Sequence, residues 1–328
     1  MVKAANQPRW QKEQKEKKQK RNFLVIRLWL FVICLLLLGG ITFKVFQLVR
    51  RSLWNGRDRI NFVLKGQKVV LASFEPSQES LSLILIPGQT LLEVCHGYGK
   101  YKVEAIPKLE EIEEKEGLLA ESLQENFGIP VGGWMGEMSN VKCQMSNVKE
   151  KILCEMENQI FQKKMTNFSR WDLLRLWWEI KKVKAGNTEV LDLGKLNVLT
   201  QSKLPDGTTV FEIDSSRLDP LIQKYFSDLT LKQEGFSIEV LNGTTHLGLA
   251  EKGARILSNL GGEVVWVGNS EASSEKCVVG SGKNKKETYT VRKIIKIWNC
   301  NWQEKKEEGK AEITVILGED YWQKLNQK

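Results

Sequence analysis

The sequence predicts an α/β protein in which one N-terminal transmembrane helix is followed by two α/β domains. An apolar run lies near the N-terminus, and strand patterns alternate with helix patterns over residues 69–230 and again over residues 236–328. Strands that alternate with helices are typical of α/β layers. The chain has 328 residues, of which 41% are hydrophobic, and this is enough apolar material for packed cores.

The apolar run at residues 23–49 predicts a membrane anchor. Its uncharged centre spans Leu28–Phe43, and Arg27 and Lys44 can extend it because their stems can lie along apolar surface. A helix needs ~20 such residues to cross the hydrocarbon core of a bilayer. A buried core helix is disfavoured because the centre has no polar face. A cleaved signal peptide is disfavoured because the run is too long and no small-x-small site follows it.

Charge predicts the orientation of this anchor. Residues 1–22 carry eight basic and two acidic side chains, which gives 8 − 2 = +6, and a short tail this basic stays in the cytoplasm. We therefore expect a single-pass protein of the cell membrane with extracytoplasmic C-terminal domains and contacts to membrane lipid. The tail, Arg27 and Lys44 take +8 of the net charge of +9, so residues 50–328 carry about +1. This balance argues against nucleic acid as a partner.

The first domain is predicted at residues 69–230, after a basic juxtamembrane linker at residues 50–68. Predicted strands, helices and extended pieces of this domain are Val69–Phe74, Leu81–Ile86, Pro107–Phe127 (split at Gly117 and capped by Gly128), Ile129–Val131, Val210–Ile213 and Leu218–Phe226. The pentapeptide MSNVK occurs at 138–142 and again at 145–149. We interpret residues 138–165 as a loop insertion.

A capping-box pattern at Ser169–Asp172 predicts the start of a further helix in this domain. Trp171, Leu174 and Trp178 widen the apolar face of that helix. The tryptophans are typical of a core, and the alternative is a platform on which glycans stack. We expect the core.

The second domain is predicted at residues 236–328. Its predicted strands and helices are Phe236–Leu241, Gly248–Leu260, Glu263–Val267, Cys277–Val279, Lys286–Trp298 and Ile313–Leu317, which indicate a small α/β sandwich. Within it, Gly243 and Gly248 have the spacing of a phosphate-binding loop, but the required Lys-Ser/Thr is replaced by Leu-Ala. A helix N-cap from Thr244 or Thr245 is the structural interpretation. An anion or partner contact at the helix N-terminus is the functional one, and it would use Asn242, Gly243, Thr244, Thr245 and Gly248.

The second domain resembles the LytR C-terminal domain of bacterial cell-envelope proteins. The residues that carry the resemblance lie in order over 236–322: Val240–Thr244, Gly248–Ala250, Gly261-Gly262 and the run Val315–Asp320, which includes Leu317, Gly318 and Asp320. The resemblance implies an extracytoplasmic module without established catalytic residues.

The first domain resembles a degenerate LytR-CpsA-Psr domain, whose members transfer lipid-linked glycans to the cell wall. Leu83–Pro87, Gly97–Tyr101, Phe127–Val131 and Pro205–Leu221 carry this resemblance, whereas residues 138–195 do not. The family follows Ile-Pro with Arg-Asp-Thr, but this chain has Gly88-Gln89-Thr90. Transfer of a pyrophosphate-linked glycan needs an arginine clamp and Mg²⁺ held by carboxylates, so we expect no catalytic residues.

Six cysteines are present, of which Cys34 lies in the anchor. There is no CxxC and only two histidines, so neither a zinc site nor another cofactor is expected. The five others do not indicate a disulfide framework. One disulfide, Cys277–Cys300, is geometrically feasible if the helix between them returns to the same end of the sheet.

These observations predict a non-catalytic, membrane-anchored cell-envelope protein whose outer domains bind a cell-wall polymer or another envelope protein. The alternative is an active glycan phosphotransferase, a ligase that attaches lipid-linked polymers to the wall. Such an enzyme would use acids at unexpected positions, for which Glu79 and Asp214 are the candidates.

Overall fold

The computed structural model describes residues 9–50, 52–66, 68–136, 143, 147–161, 165–305 and 310–327. The chain divides into two compact units, Met1–Ser52 and Leu53–Lys328. The MSNVK duplication lies outside the described residues except for 147–149.

The first unit contains one helix, α1 (Arg9–Arg50). Within it, Ile26–Lys44 is long and apolar enough to cross a membrane, and 0% of that window is buried against protein. A core helix of a soluble protein would be mostly buried, so the structure does not support that alternative for α1.

The second unit holds a mixed sheet with the strand order β6-β1-β2-β3-β7 and two hairpins, β4-β5 and β8-β9. Strand β2 pairs antiparallel with β1 and with β3, whereas β6 pairs in parallel with β1 and β7 in parallel with β3. The strands are β1 (Ile60–Lys65), β2 (Val69–Glu75), β3 (Ser80–Ile86), β4 (Leu91–Val94), β5 (Gly99–Lys102), β6 (Gly133–Gly136), β7 (Thr188–Asp192), β8 (Leu199–Lys203) and β9 (Thr209–Ile213).

The helices that accompany this sheet follow the predicted order with additions. They are α2 (Ile106–Ile112), α3 (Leu118–Phe127), α4 (Val148–Phe161), α5 (Arg170–Lys182), α6 (Ser215–Tyr225) and α7 (Leu229–Glu234). The predicted split at Gly117 is confirmed, because Gly117 has φ +91° between α2 and α3. The capping box is also confirmed, since Ser169 accepts from the Asp172 amide and Asp172 accepts from the Ser169 amide.

Two predictions for this domain were wrong. The linker at 50–68 contains β1, whose six residues are all buried. Its charged and polar residues are paired, because Lys65 reaches Glu110 at 2.5 Å and Asn61 donates to the Pro130 carbonyl. The loop insertion at 138–165 contains α4, which buries Ile152 and Met156 against α5 and the sheet.

The extended piece expected at Ile129–Val131 is also displaced, because the strand here begins only at Gly133. Ile129 is a buried residue that follows the left-handed Gly128, at which α3 ends. The sequence therefore located the end of the helix correctly and the start of the strand too early.

The C-terminal region forms a second sheet with the order β11-β10-β14-β12-β13. All neighbours are parallel except β12 and β14. Its elements are β10 (Ser237–Asn242), α8 (Leu249–Leu260), β11 (Glu263–Asn269), β12 (Val278–Ser281), α9 (Tyr289–Trp298), β13 (Asn301–Glu304), β14 (Ile313–Leu317) and α10 (Glu319–Asn326). The predicted α/β fold is confirmed, and β13 and α10 are additions to it.

One buried cluster runs through both α/β regions, whereas a second fills the space between the first sheet and the α4–α5 pair. The first cluster includes Leu71 and Phe127 as well as Ile238 and Leu317. Both regions therefore lie in one compact unit, and the boundary near residue 230 stays a prediction.

Candidate functional site

The turn after β3 contains Gly88-Gln89-Thr90, where the resemblance described in the sequence analysis leads us to expect Arg-Asp-Thr. The Thr90 amide donates to the Pro87 carbonyl, and the Phe211 amide donates to the Gln89 carbonyl at 3.1 Å. A Cβ on Gly88 would stand 2.6 Å from Oε2 of Glu104. The exposed Glu104 carboxylate thus lies beside this turn, and its charge opposes a bound pyrophosphate.

The two acids of the ligase alternative are not brought together. Glu79 directly precedes β3 in a left-handed conformation with φ +47°. Asp214 follows β9, which bridges the chain beyond the other end of β3 through Thr90 and Phe211. A strand of seven residues is roughly 20 Å long, so β3 separates the two carboxylates.

Asp214 also has a structural task. It accepts a hydrogen bond from the Ser216 amide at the start of α6 and pairs with Arg217 at 3.1 Å. The hydrogen bond from the Ser216 side chain lowers the pKa of Asp214. Among the described residues, no three His, Cys, Asp or Glu side chains are grouped closely enough to hold a metal ion.

The loop between β10 and α8 satisfies its own polar groups. The Asn242 carboxamide accepts from the Thr244 amide at 2.9 Å and donates to the His246 carbonyl at 2.7 Å. The Thr244 hydroxyl accepts from the His246 amide at 3.1 Å. The helix begins at Leu249 after Gly248, which has φ +81° and provides no side-chain cap. The predicted N-cap from Thr244 or Thr245 was therefore wrong.

Acidic and aromatic side chains of α10 lie beside this loop. The His246 ring stacks on Trp322 with centroids 3.7 Å apart, and its Nε2 lies 3.1 Å from Glu319. A carboxylate at this point disfavours an anion. The contact interpretation for Asn242, Gly243, Thr244, Thr245 and Gly248 stays a prediction.

The Leu317, Gly318 and Asp320 motif has structural contacts. The Leu317 carbonyl accepts from the Gly243 amide, and the Asp320 carboxylate accepts from the Cys277 amide at 3.1 Å. A Cβ on Gly318 would lie 2.6 Å from the backbone of Lys276. These residues hold the ends of β10, β12 and β14 together.

The structure contains two disulfides, Cys277–Cys300 and Cys143–Cys154. The expectation that the cysteines outside the anchor form no framework was wrong, because α4 brings Cys154 to Cys143. Cys95 is a free buried thiol, and burial raises its pKa to about 12.

A polar cleft of about 290 Å³ lies between the two α/β regions. Its volume lies just below the range of small-ligand sites, ~300 to 1,000 Å³. Side chains of both charges, two carboxamides and one hydroxyl line it, among them Glu93, Lys100, Asn126, Glu212, Ser215 and Lys252. The sequence analysis did not find this cleft, because its residues come from seven separate helices and strands and share no motif.

Arg255 of α8 closes one side of the cleft. Its guanidinium donates to both carboxylate oxygens of Asp219, at 2.8–3.1 Å, and to the carbonyls of Glu125 and Asn126. Tyr321 donates to the Glu125 carboxylate at 2.6 Å. Arg255 thus joins the end of α3 and the middle of α6 to the C-terminal region and has its donors used within the protein.

Residues 235–321 match the protein-family model described as LytR cell envelope-related transcriptional attenuator. Comparison with curated proteins finds no match. Among solved structures, a LytR-CPS2A-psr family protein with bound octaprenyl pyrophosphate lipid is 13% identical, with 51% of this chain and 88% of that chain covered at a TM-score of 0.36.

Two further solved structures are similar at the same level. A putative transcriptional regulator, ywtF, from Bacillus subtilis is 12% identical, with 64% of this chain and 93% of that chain covered at a TM-score of 0.39. A putative transcriptional factor from Listeria monocytogenes is 12% identical, with 52% and 96% covered at a TM-score of 0.39.

The match over residues 235–321, about a quarter of the chain, supports a protein of the cell envelope. Residues 235–321 are its LytR C-terminal domain, so the resemblance stated for residues 236–322 is confirmed.

Proposed function

We propose that this is a non-catalytic, membrane-anchored envelope protein that binds a wall polymer. The observation that carries the non-catalytic part is the turn at Gly88, which has no arginine side chain and lies beside the Glu104 carboxylate. The separation of Glu79 from Asp214 supports the same conclusion. In this proposal α1 spans the cell membrane, residues 1–22 are cytoplasmic, and the unit that begins at Leu53 is extracytoplasmic.

The cleft is the proposed polymer site. Because Arg255 is used by Asp219, the remaining charged groups are a mixture of carboxylates and lysines rather than a cationic patch. Such a mixture offers donors and acceptors to a hydroxyl-rich chain and no clamp for a pyrophosphate. A glycan segment with few charges fits this chemistry best.

Co-sedimentation of the full-length protein in detergent with purified cell wall tests the proposal. Glu212→Arg and Lys252→Glu each reverse a charge in the cleft, and we expect each variant to reduce the bound fraction. Lys195→Glu is the matched control, since Lys195 is exposed and does not line the cleft. Wild-type protein that stays in the supernatant, or cleft variants that bind like the control, would contradict the polymer site.

A second candidate is another envelope protein, and the edge of the second sheet favours it. Among the described residues, strand β11 forms one edge of the second sheet, and Val265, Trp266 and Val267 on it are exposed. An open edge can accept an added strand from a partner. Pull-down from envelope extracts with wild type and with Val265→Lys would separate this candidate from polymer binding.

A further inference from the structure

We propose that the outward face of α5 lies in the headgroup layer of the same bilayer that α1 spans. The inference rests on the membrane anchoring proposed above and adds a second, peripheral membrane contact to it. It assigns a role to exposed apolar side chains of α5 that are part of neither the hydrophobic core nor the cleft.

The outward face of α5 is apolar, whereas the solvent-facing side of a helix in a soluble protein is typically polar. Trp171, Leu174 and Trp178 are 38%, 46% and 58% exposed. At 100° per residue these three side chains fall within ~60° of one another. Leu173, Leu176 and Ile180 form the opposite, buried face. Three large apolar groups on one solvent-facing stripe indicate a surface that is covered in use.

Basic side chains flank this stripe on both sides. Arg170 and Lys181 project on one side of it, and Arg175 and Lys182 on the other, by the same helical geometry. One exposed or half-exposed carboxylate, Glu179, lies on the helix and pairs with Lys182 at 2.8 Å. Tryptophans beside lysines and arginines match the boundary between acyl chains and anionic headgroups.

The start of α5 is fixed to the point where the chain enters the outer unit. The Asp172 carboxylate accepts from the amides of Leu53 and Trp54 at 3.1 and 3.3 Å. The Arg175 guanidinium donates to the Trp54 carbonyl and lies 5.2 Å from the Trp54 ring and 5.8 Å from the Trp171 ring. The exposed stripe therefore starts next to the entry segment.

Covalent geometry then limits how far the stripe can be from the membrane. Residues 44–50 rise ~9 Å as a helix, and the three steps to Leu53 add at most ~11 Å. From Asp172 to Trp178 the helix axis advances only ~9 Å. The chain itself thus keeps the stripe within reach of the headgroup layer, which favours the bilayer over a soluble partner.

Photocrosslinking of the full-length protein tests this contact. A benzophenone amino acid replaces Trp178, or Leu247 as the exposed control in the C-terminal domain, and the protein is reconstituted in vesicles of equal phosphatidylglycerol and phosphatidylethanolamine. We expect about tenfold more lipid adduct at position 178 than at position 247. Equal adduct at both positions, or adduct mainly to a second protein or to added wall polymer, would overturn the proposal.

Two further measurements separate this contact from the anchor. Retention in the vesicles after an alkaline carbonate wash reports on α1 alone, so a protein that washes off refutes the anchoring and not the stripe. With the anchor retained, Arg170→Glu, Lys181→Glu and Lys182→Glu together should lower the adduct at position 178 by about fivefold or more. An unchanged adduct would show that the basic flanks do not contact the headgroups, which contradicts the proposal.

Discussion

The two faces of the first sheet are completed in different ways. On one side, a buried cluster continues into the C-terminal region, and Arg255 pairs with Asp219 and the Glu125 carbonyl beside the cleft. On the other side, α4 and α5 cover the sheet, but the outer surface of α5 exposes two tryptophans and a leucine. The first surface is satisfied within the chain, whereas the second lacks a cover in the part of the chain that the structure describes. The paired residues beside the cleft stabilise the unit, whereas the exposed residues of α5 can contact a partner outside the chain.

The largest expected effect concerns the disulfides, one on each side of this comparison. Cys277→Ser with Cys300→Ser opens a covalent loop of sequence separation 23 and should cost about 3 kcal/mol of unfolding free energy. Cys143→Ser with Cys154→Ser opens a loop of separation 11 and should cost slightly less. Denaturant unfolding of both variants measures this. A negligible loss from either would show that the cross-link contributes little to that region.

Arg255→Ala should cost about 2 kcal/mol, because the variant removes charged hydrogen bonds to Asp219 and to two carbonyls on the satisfied side. The rate at which the Cys95 thiol is alkylated measures whether the structure near Arg255 has loosened. At pH 8 the Cys95 thiol is protonated, since its pKa is raised to about 12, and it should react slowly in the wild type. Faster alkylation in Arg255→Ala would show that the domains have loosened, and equal rates in both proteins would contradict the role given to Arg255.

Asp172→Asn should cost about 1 kcal/mol, because it weakens the capping box and the bonds to the amides of Leu53 and Trp54. The same change should loosen the entry segment relative to α5. Limited proteolysis near Leu53 measures that effect, and Asp192→Asn, at a half-buried aspartate that likewise caps a helical turn, is its control. Equal cleavage of both variants would contradict the fixation of the stripe to the entry segment.

Trp178→Glu should change the unfolding free energy in detergent by less than about 0.5 kcal/mol, because Trp178 is mostly exposed. Thermal unfolding in detergent measures this. A loss comparable to that of a buried residue would mean that Trp178 belongs to the core, as the sequence first suggested. Trp178 would then not belong to the exposed surface of α5.

Periodicity and capping made most of the fold predictable. Gly117 and Gly128 located the helix ends, Ser169 and Asp172 located the start of α5, and the strand–helix alternation gave the C-terminal sheet. Strand β1 was missed because Arg59, Asn61 and Lys65 resemble a linker until their buried partners are known. Helix α4 was missed because the neighbouring duplication suggested a loop.

The candidate site was harder to predict than the fold. The sequence showed that Gly88-Gln89 replaces the expected Arg-Asp pair. It did not predict that Glu104 lies beside Gly88. The cleft depends on side chains from distant elements, which no local pattern reveals. The tryptophans of α5 were assigned to the core because helical spacing shows which residues share a face and not which face is covered.

The most direct test of the central claim follows one labelled polymer. The polymer is supplied on its polyprenyl carrier to the full-length protein with purified cell wall and Mg²⁺, and the label on the wall is counted before and after boiling in detergent. We expect the protein to bind the polymer without transferring it, so that boiling removes all label from the wall. Label that resists boiling, and that requires the protein and Mg²⁺, would show covalent transfer and contradict the account.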